Sequence, residues 1–190
     1  MILGVTGGTG GGKTTLLRAA QKRGAMVLDC DEIYHELLET NAEMLAEIEY
    51  RFPGTVENGV LARKKLGKLV FADENALRDL NAITHRHVCA EVERRLAQEP
   101  PFAVIDAIGL LESGLAGLCT ATVAVTAPME ARIARLMNRE GIDRDYALSR
   151  IHAQKPDRYF TENCTYTLHN DYPTAEEFEA AANEFLDRIL

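Results

Sequence analysis

The stretch Ile2-Leu3-Gly4-Val5-Thr6-Gly7-Gly8-Thr9-Gly10-Gly11-Gly12-Lys13-Thr14 decides how the rest of the chain is read. Ile2–Thr6 is a short apolar run that predicts a buried strand. From Lys13 to Arg23, Leu16, Leu17, Ala19 and Ala20 fall on one side of a predicted helix. Between the two, Gly7–Thr14 matches G-x-x-x-x-G-K-[ST]. Glycines at these positions let successive backbone N–H groups turn toward phosphate oxygens. The helix that follows adds its positive end. Lys13 brings a mobile charge to the β and γ oxygens, and Thr14 offers a hydroxyl to Mg²⁺. Gly8, Thr9, Gly10, Gly11, Gly12, Lys13, Thr14 and Thr15 are therefore the candidate ATP-binding residues.

Outward from this unit, strand and helix signals alternate. Further strands are expected at Ala25–Asp29, Phe102–Asp106, Ala121–Thr126 and Thr165–Leu168. Pro128 fits the first turn of a helix whose stripe is Met129, Ile133, Leu136 and Met137. Asp143 is a candidate cap for a helix running to about Gln154. Thr174-Ala175-Glu176-Glu177 reads as a capping box, with Phe178, Ala182, Phe185 and Ile189 on one face of the last helix. This alternation predicts an α/β fold, a P-loop NTPase-like parallel sheet of about five strands flanked by helices. A mostly helical region from Glu32 to Gln98, broken at Pro53-Gly54 and Asn58-Gly59, is too long for a simple crossover. It is expected to be a helical insertion above the carboxyl ends of the strands.

Composition agrees. The chain has 190 residues, 46% apolar and 26% charged, which fits one globular domain over 1–190 and excludes a disordered chain. The net charge of −8 argues against general nucleic-acid binding. The 15 Arg against 6 Lys leave room for a local anion site. Cys30, Cys89, Cys119 and Cys164 have no framework spacing and read as free thiols. No apolar run approaches the roughly 20 residues of a membrane span, and the N-terminus does not read as a signal peptide. The expectation is a cytoplasmic protein with no membrane partner.

Several residues outside the loop could carry chemistry. Asp106 ends an apolar strand and could be a second carboxylate for Mg²⁺. Asp29 and Asp31 flank Cys30; if the strand continued through them, both would face one side, and one could take a proton from an acceptor hydroxyl. Arg132, Arg135, Arg139, Arg144 and Arg150 crowd two consecutive helices. Most are expected at the surface, with Arg139, close to Gly141, chosen to neutralise a transferring phosphate. His85 and His87, two apart on a helix, point away from each other and do not make a shared metal site.

The ordered set of these segments resembles the dephospho-coenzyme A kinase family over nearly the full length. The resemblance is carried by Gly4–Thr14, Val27-Leu28-Asp29-Cys30-Asp31, Asn58–Arg63 with Leu66-Gly67 and Val70-Phe71, and Leu80–His85. Leu110–Gly114, Arg135–Arg139 and Ala153-Gln154 extend it. It implies transfer of the ATP γ-phosphate to the ribose 3′-hydroxyl of dephospho-coenzyme A, with Mg²⁺ as cofactor. It also implies a helical acceptor-binding insertion (about 32–98) and a lid (about 139–158). By the same resemblance Asp31, Lys13 and Arg139 are the catalytic candidates, Asn170 joins the ATP site, and Thr6, Asp29, Arg63, His85 and Glu112 fall on the acceptor side. The sequence departs from the family pattern at Arg86, Ile108 and Gly109, where Pro is usual after the His and before the Leu-Leu, and at His35, where a basic residue is common. Two other readings stay open: a P-loop kinase of another small hydroxyl acceptor such as a nucleoside, and a GTP switch. The switch would use Asp106-Ala107-Ile108-Gly109 as D-x-x-G and Gln154-Lys155-Pro156-Asp157 as a guanine-reading N-K-x-D with its first residue changed.

Overall fold

The computed structural model describes all 190 residues. In chain order the elements are β1 (Ile2–Thr6), α1 (Lys13–Lys22), β2 (Met26–Asp29), α2 (Cys30–Thr40), α3 (Ala42–Arg51), β3 (Val56–Glu57), β4 (Val60–Leu61), α4 (Arg63–Val70) and α5 (Glu74–Leu96). They continue with β5 (Ala103–Asp106), a 3₁₀ turn at Leu115–Leu118, β6 (Ala121–Thr126), α6 (Met129–Glu140), α7 (Arg144–His152), α8 (Asp157–Asn163), β7 (Tyr166–His169) and α9 (Ala175–Ile189). The chain forms two compact units, Met1–Leu28 with Glu99–Leu190, and Asp29–Gln98. The sequence reading placed a helical insertion at about 32–98 within one domain; the second unit starts at Asp29 and ends at Gln98.

The first unit is built on a five-stranded sheet of order β2-β5-β1-β6-β7. Pairing is parallel between β1 and β5, β1 and β6, and β6 and β7. All six residues of β6 are buried, as expected for an apolar strand with neighbours on both edges. Leu16, Leu17, Ala19 and Ala20 of α1 join Phe178, Ala182, Phe185 and Leu186 of α9 in a core against Leu3, Val5, Val123 and Val125. Each large apolar side chain so buried contributes about 1.5–3 kcal/mol. A smaller cluster of Ile133, Leu136, Ala147 and Ile151 joins α6 to α7. Thr174 caps α9, accepting from the Glu177 N–H, and Asp143 caps α7, accepting from the Tyr146 N–H. Two boundaries differ from the sequence reading. Pro128 is the N-cap of α6 and lies outside its first turn, and α7 stops at His152, freeing Ala153–Pro156 as a connector.

In the second unit α5 is the common partner of α2, α3 and α4. Asn41 caps α3 and Asp73 caps α5. Asn58-Gly59, read only as a break, is the turn of a two-stranded hairpin: both residues have positive φ, 52° and 77°, and β3 pairs antiparallel with β4.

Candidate active site

The glycine-rich loop joins the carboxyl end of β1 to the N-terminus of α1. Gly12 is the N-cap of α1, with φ 111°, a conformation that favours glycine. Lys13 opens the helix and folds back over the loop, its Nζ donating to the Gly7 carbonyl at 3.0 Å. Thr14 is exposed in the first turn.

The carbonyls of the loop's middle are turned outward onto side chains. Thr9 O accepts from Arg132 Nε at 2.8 Å. Gly10 O accepts from Arg135 Nη1 at 3.1 Å. Gly11 O accepts from Asn170 Nδ2 at 3.0 Å. These three carbonyls are engaged by outside donors, which favours the binding of an anion by the loop's remaining N–H groups. Asn170 is buried and immediately follows β7, so the strand that supplies it also fixes its approach. Burial lowers the Arg135 guanidinium from its ordinary value, yet a guanidinium remains charged in a protein.

The arginines sort differently from the expectation. Most of the cluster was expected at the surface, with no role given to Arg132, yet only 4% of it is exposed. Arg139, the chosen residue, is exposed in the last turn of α6 and ion-paired with Glu140 at 2.6 Å; Glu140 also takes Arg150. Arg144 pairs with Glu130. The guanidinium groups that reach the loop are those of Arg132 and Arg135. Their side of α6 is visible in the sequence only as helical spacing from Ile133 and Leu136, and nothing in that spacing says that the loop lies there.

Asp106 ends β5 opposite Val5 in the parallel register, so it lies beside the end of the strand that leads into the loop. Thr6 is fully buried and its hydroxyl donates to the Ile108 carbonyl at 3.2 Å, which ties β1 to the segment after β5. Glu112, in that segment, is exposed; partial burial and the nearby Glu112 carboxylate both push the phenol of Tyr159 in α8 up. Sequence reasoning singled out Glu112 but not Tyr159.

In the helical unit the Asp29–Asp31 pair is not a strand pair. Asp29 is the last residue of β2 and the N-cap of α2, its Oδ1 accepting from the N–H groups of Asp31 (2.9 Å) and Glu32 (3.2 Å). Asp31 is therefore a first-turn helix residue, exposed to solvent, and the argument that strand alternation aligns the two carboxylates fails. Arg63 opens α4, exposed, with Nη2 3.3 Å from His35 Nδ1. Arg63 also acts on Tyr34, whose phenol is raised by burial and drawn back by that charge. His85 is half-buried on α5. His87 meets Glu47 and Asn41 instead, so the two histidines do diverge.

The switch motifs are not laid out as a guanine site. Gln154–Asp157 follows helix α7, with no strand before it. Gln154 Oε1 accepts from the Thr9 N–H at 2.8 Å, and Asp157 pairs with Arg132 at 2.9 Å, so both are occupied in holding the loop.

The dephospho-CoA kinase family model matches residues 1–176. A dephospho-CoA kinase of Thermus thermophilus is 33% identical over 190 residues, covering 100% of this chain and 92% of that one. A crystal structure from Thermus thermophilus superimposes with a TM-score of 0.82 at 32% identity, covering 100% of this chain and 98% of the other. The dephospho-CoA kinase of Campylobacter jejuni, at 22% identity, shares the fold with a TM-score of 0.69 over 99% of this chain and 96% of its own. A match over almost the whole length, carried by a relative that aligns from end to end, shows that the chain belongs to the dephospho-CoA kinase family.

Proposed function

We propose that the protein transfers the γ-phosphoryl group of ATP to the ribose 3′-hydroxyl of dephospho-coenzyme A, giving coenzyme A and ADP. The observation that carries this reading is the Gly7–Thr14 loop, its carbonyls held outward and Lys13 folded over it, in a chain of this family. Its N–H groups and the end of α1 would hold the β- and γ-phosphates, and Lys13 would exchange the Gly7 carbonyl for a phosphate oxygen. In the transfer the bond from γ-phosphorus to the β-bridging oxygen breaks and one to the 3′-oxygen forms. Asp31 accepts the hydroxyl proton, worth about 10²–10⁴-fold for a general base.

Thr14 and Asp106 suit Mg²⁺: a hydroxyl and a carboxylate are hard oxygen ligands, Thr14 just past the loop that follows β1 and Asp106 at the end of its paired strand β5. When bound with ATP, the ion supplies neutralisation of phosphate charge. Asp29 fixes the start of α2 and so the position of Asp31. Arg63, His85 and Glu112 are assigned to the acceptor side. Arg139 would serve the transferring phosphate by exchanging Glu140 for it when the 139–158 segment closes. The absence of a helix long and apolar enough to cross a membrane is compatible with work on water-soluble substrates.

The test is incubation with MgATP and dephospho-coenzyme A, with the product identified by mass and its phosphate located by ³¹P NMR. A new 3′-phosphate supports the reading. No phosphorylated product, or a phosphate elsewhere, overturns it.

A further inference from the structure

Thr9 is gripped by two side chains from outside the loop. Its N–H is taken by Gln154 Oε1 at 2.8 Å, and its C=O by Arg132 Nε at 2.8 Å. Gln154 sits in the connector between α7 and α8, whereas Arg132 comes from the buried face of α6. Arg132 continues the chain of contacts, its Nη1 donating to Asp157 Oδ1 at 2.9 Å in the first turn of α8. A side chain that is nineteen-twentieths buried thus bridges the phosphate loop and the segment after α7. Its Nη2 is buried and makes no hydrogen bond.

The loop is shaped to admit this guanidinium. A Cβ built on Gly8 would collide with Arg132 Nη2 and lie 2.9 Å from its Cζ. One built on Gly10 would lie 2.9 Å from the Arg132 carbonyl and 3.0 Å from its Cα. Gly8 and Gly10 occupy the x positions of G-x-x-x-x-G-K-[ST], which the phosphate chemistry leaves free. Here α6 and its arginine leave no room for a side chain at either.

We propose that Arg132 and Gln154 are positioning residues for ATP, a two-sided clamp on Thr9 that sets the phosphate loop and couples it to the 153–157 connector. The clamp acts through the loop and touches no reacting atom. A loop whose Thr9 is released samples other peptide orientations, and ATP must then select the competent one, which lowers its apparent affinity by that fraction. By linkage the coupling is reciprocal: ATP bound to the loop steadies the connector. The inference rests on the reading of the loop as an ATP site, but not on the identity of the acceptor.

The test uses Gln154→Met, which keeps length and removes the acceptor oxygen, and Arg132→Lys, which keeps charge and loses the fork. For each, ATP affinity is measured by calorimetry without acceptor, the KM for ATP and kcat are measured separately, and Tm is recorded with and without MgATP. Loss of one neutral hydrogen bond corresponds to about 2- to 10-fold. Gln154→Met should therefore weaken ATP by about that factor, leave kcat at saturating ATP nearly unchanged, and lower the nucleotide-free Tm by only about 2–4 °C. Its MgATP-induced rise in Tm should shrink. Arg132→Lys should weaken ATP more, about 10-fold or beyond, because Lys cannot serve Thr9 and Asp157 together. Unchanged ATP affinity in Gln154→Met, or a loss seen only in kcat, overturns the clamp. If Arg132→Lys fails to fold, Gln154→Met decides alone. A wild-type protein that binds ATP tightly but leaves dephospho-coenzyme A unphosphorylated would defeat the acceptor reading and leave the clamp standing.

Discussion

The phosphate loop and the helical unit handle charge in opposite ways. Around the phosphate loop, two cationic side chains are drawn inward onto backbone carbonyls, Arg132 on Thr9 and Arg135 on Gly10, and the neutral amide of Asn170 does the same on Gly11. In the Asp29–Gln98 unit, charges pair with one another near the surface: Arg51 with Asp79, Arg86 with Glu47, and Arg95 with both Glu36 and Glu91. The exposed pairs among these, Arg51–Asp79 and Arg86–Glu47, contribute about 0–1 kcal/mol each. The first arrangement shapes a backbone for an anion, while the second holds helices together and leaves Asp31 and Arg63 exposed. In the proposed reaction, donor binding therefore rests on main-chain geometry together with Lys13, and acceptor chemistry on a few side chains.

That contrast can be broken by one substitution on each side. Lys13→Ala removes a cation from the phosphates and should lower turnover by 10²-fold or more, equivalent to several kcal/mol of transition-state stabilisation. The fold should survive, since Lys13 is only half-buried; circular dichroism and steady-state rates check both parts. Asp31→Asn should cost about 10²–10⁴-fold in kcat while ATP binding, followed by calorimetry, stays near wild type. If Asp31→Asn weakened ATP as much as Lys13→Ala did, the division between the units would not hold.

A smaller effect sharpens the description of the helical unit. Hydrogen bonds from Arg94 and Arg95 hold the Glu91 carboxyl at about 2, well below the usual carboxylate range. Because the folded value is depressed, its stabilisation is complete above an unfolded value of about 4.3 and is lost as pH falls toward 2. Glu91→Gln should thus be slightly less stable than wild type at pH 7 by urea denaturation. The gap should close between about pH 4.3 and pH 2. A gap independent of pH would mean that Glu91 contributes nothing through its charge.

Much of the first unit was legible because its signals are local. The strand, the glycine loop and the helix start are contiguous, and the cap at Asp143 and the box at Thr174 act within one turn. The Asp29-Cys30-Asp31 segment was misread because strand and helix meet inside it: Asp29 ends one element and caps the next, so alternation does not extend to Asp31. Arg132 was noticed within the arginine cluster, but its role was missed for a different reason. Its partners, Thr9 and Asp157, lie far away along the chain, and periodicity on α6 reports which face is buried without saying what it is buried against. The hairpin at Asn58-Gly59 was within reach of sequence reasoning, since that dipeptide favours a tight turn, but its two-residue strands are too short for an alternating pattern.

The most direct test of the whole account is a comparison of acceptors. Dephospho-coenzyme A carries a long pantetheine arm, and binding energy from a remote part of a substrate serves to position the reacting group. With MgATP saturating, kcat/KM should favour dephospho-coenzyme A over adenosine by about 10²-fold or more, with part of the difference in kcat. Adenosine or another nucleoside turning over as well or better would contradict the account and make this a kinase of a different acceptor, with Arg86, Ile108 and Gly109 the first residues to re-examine.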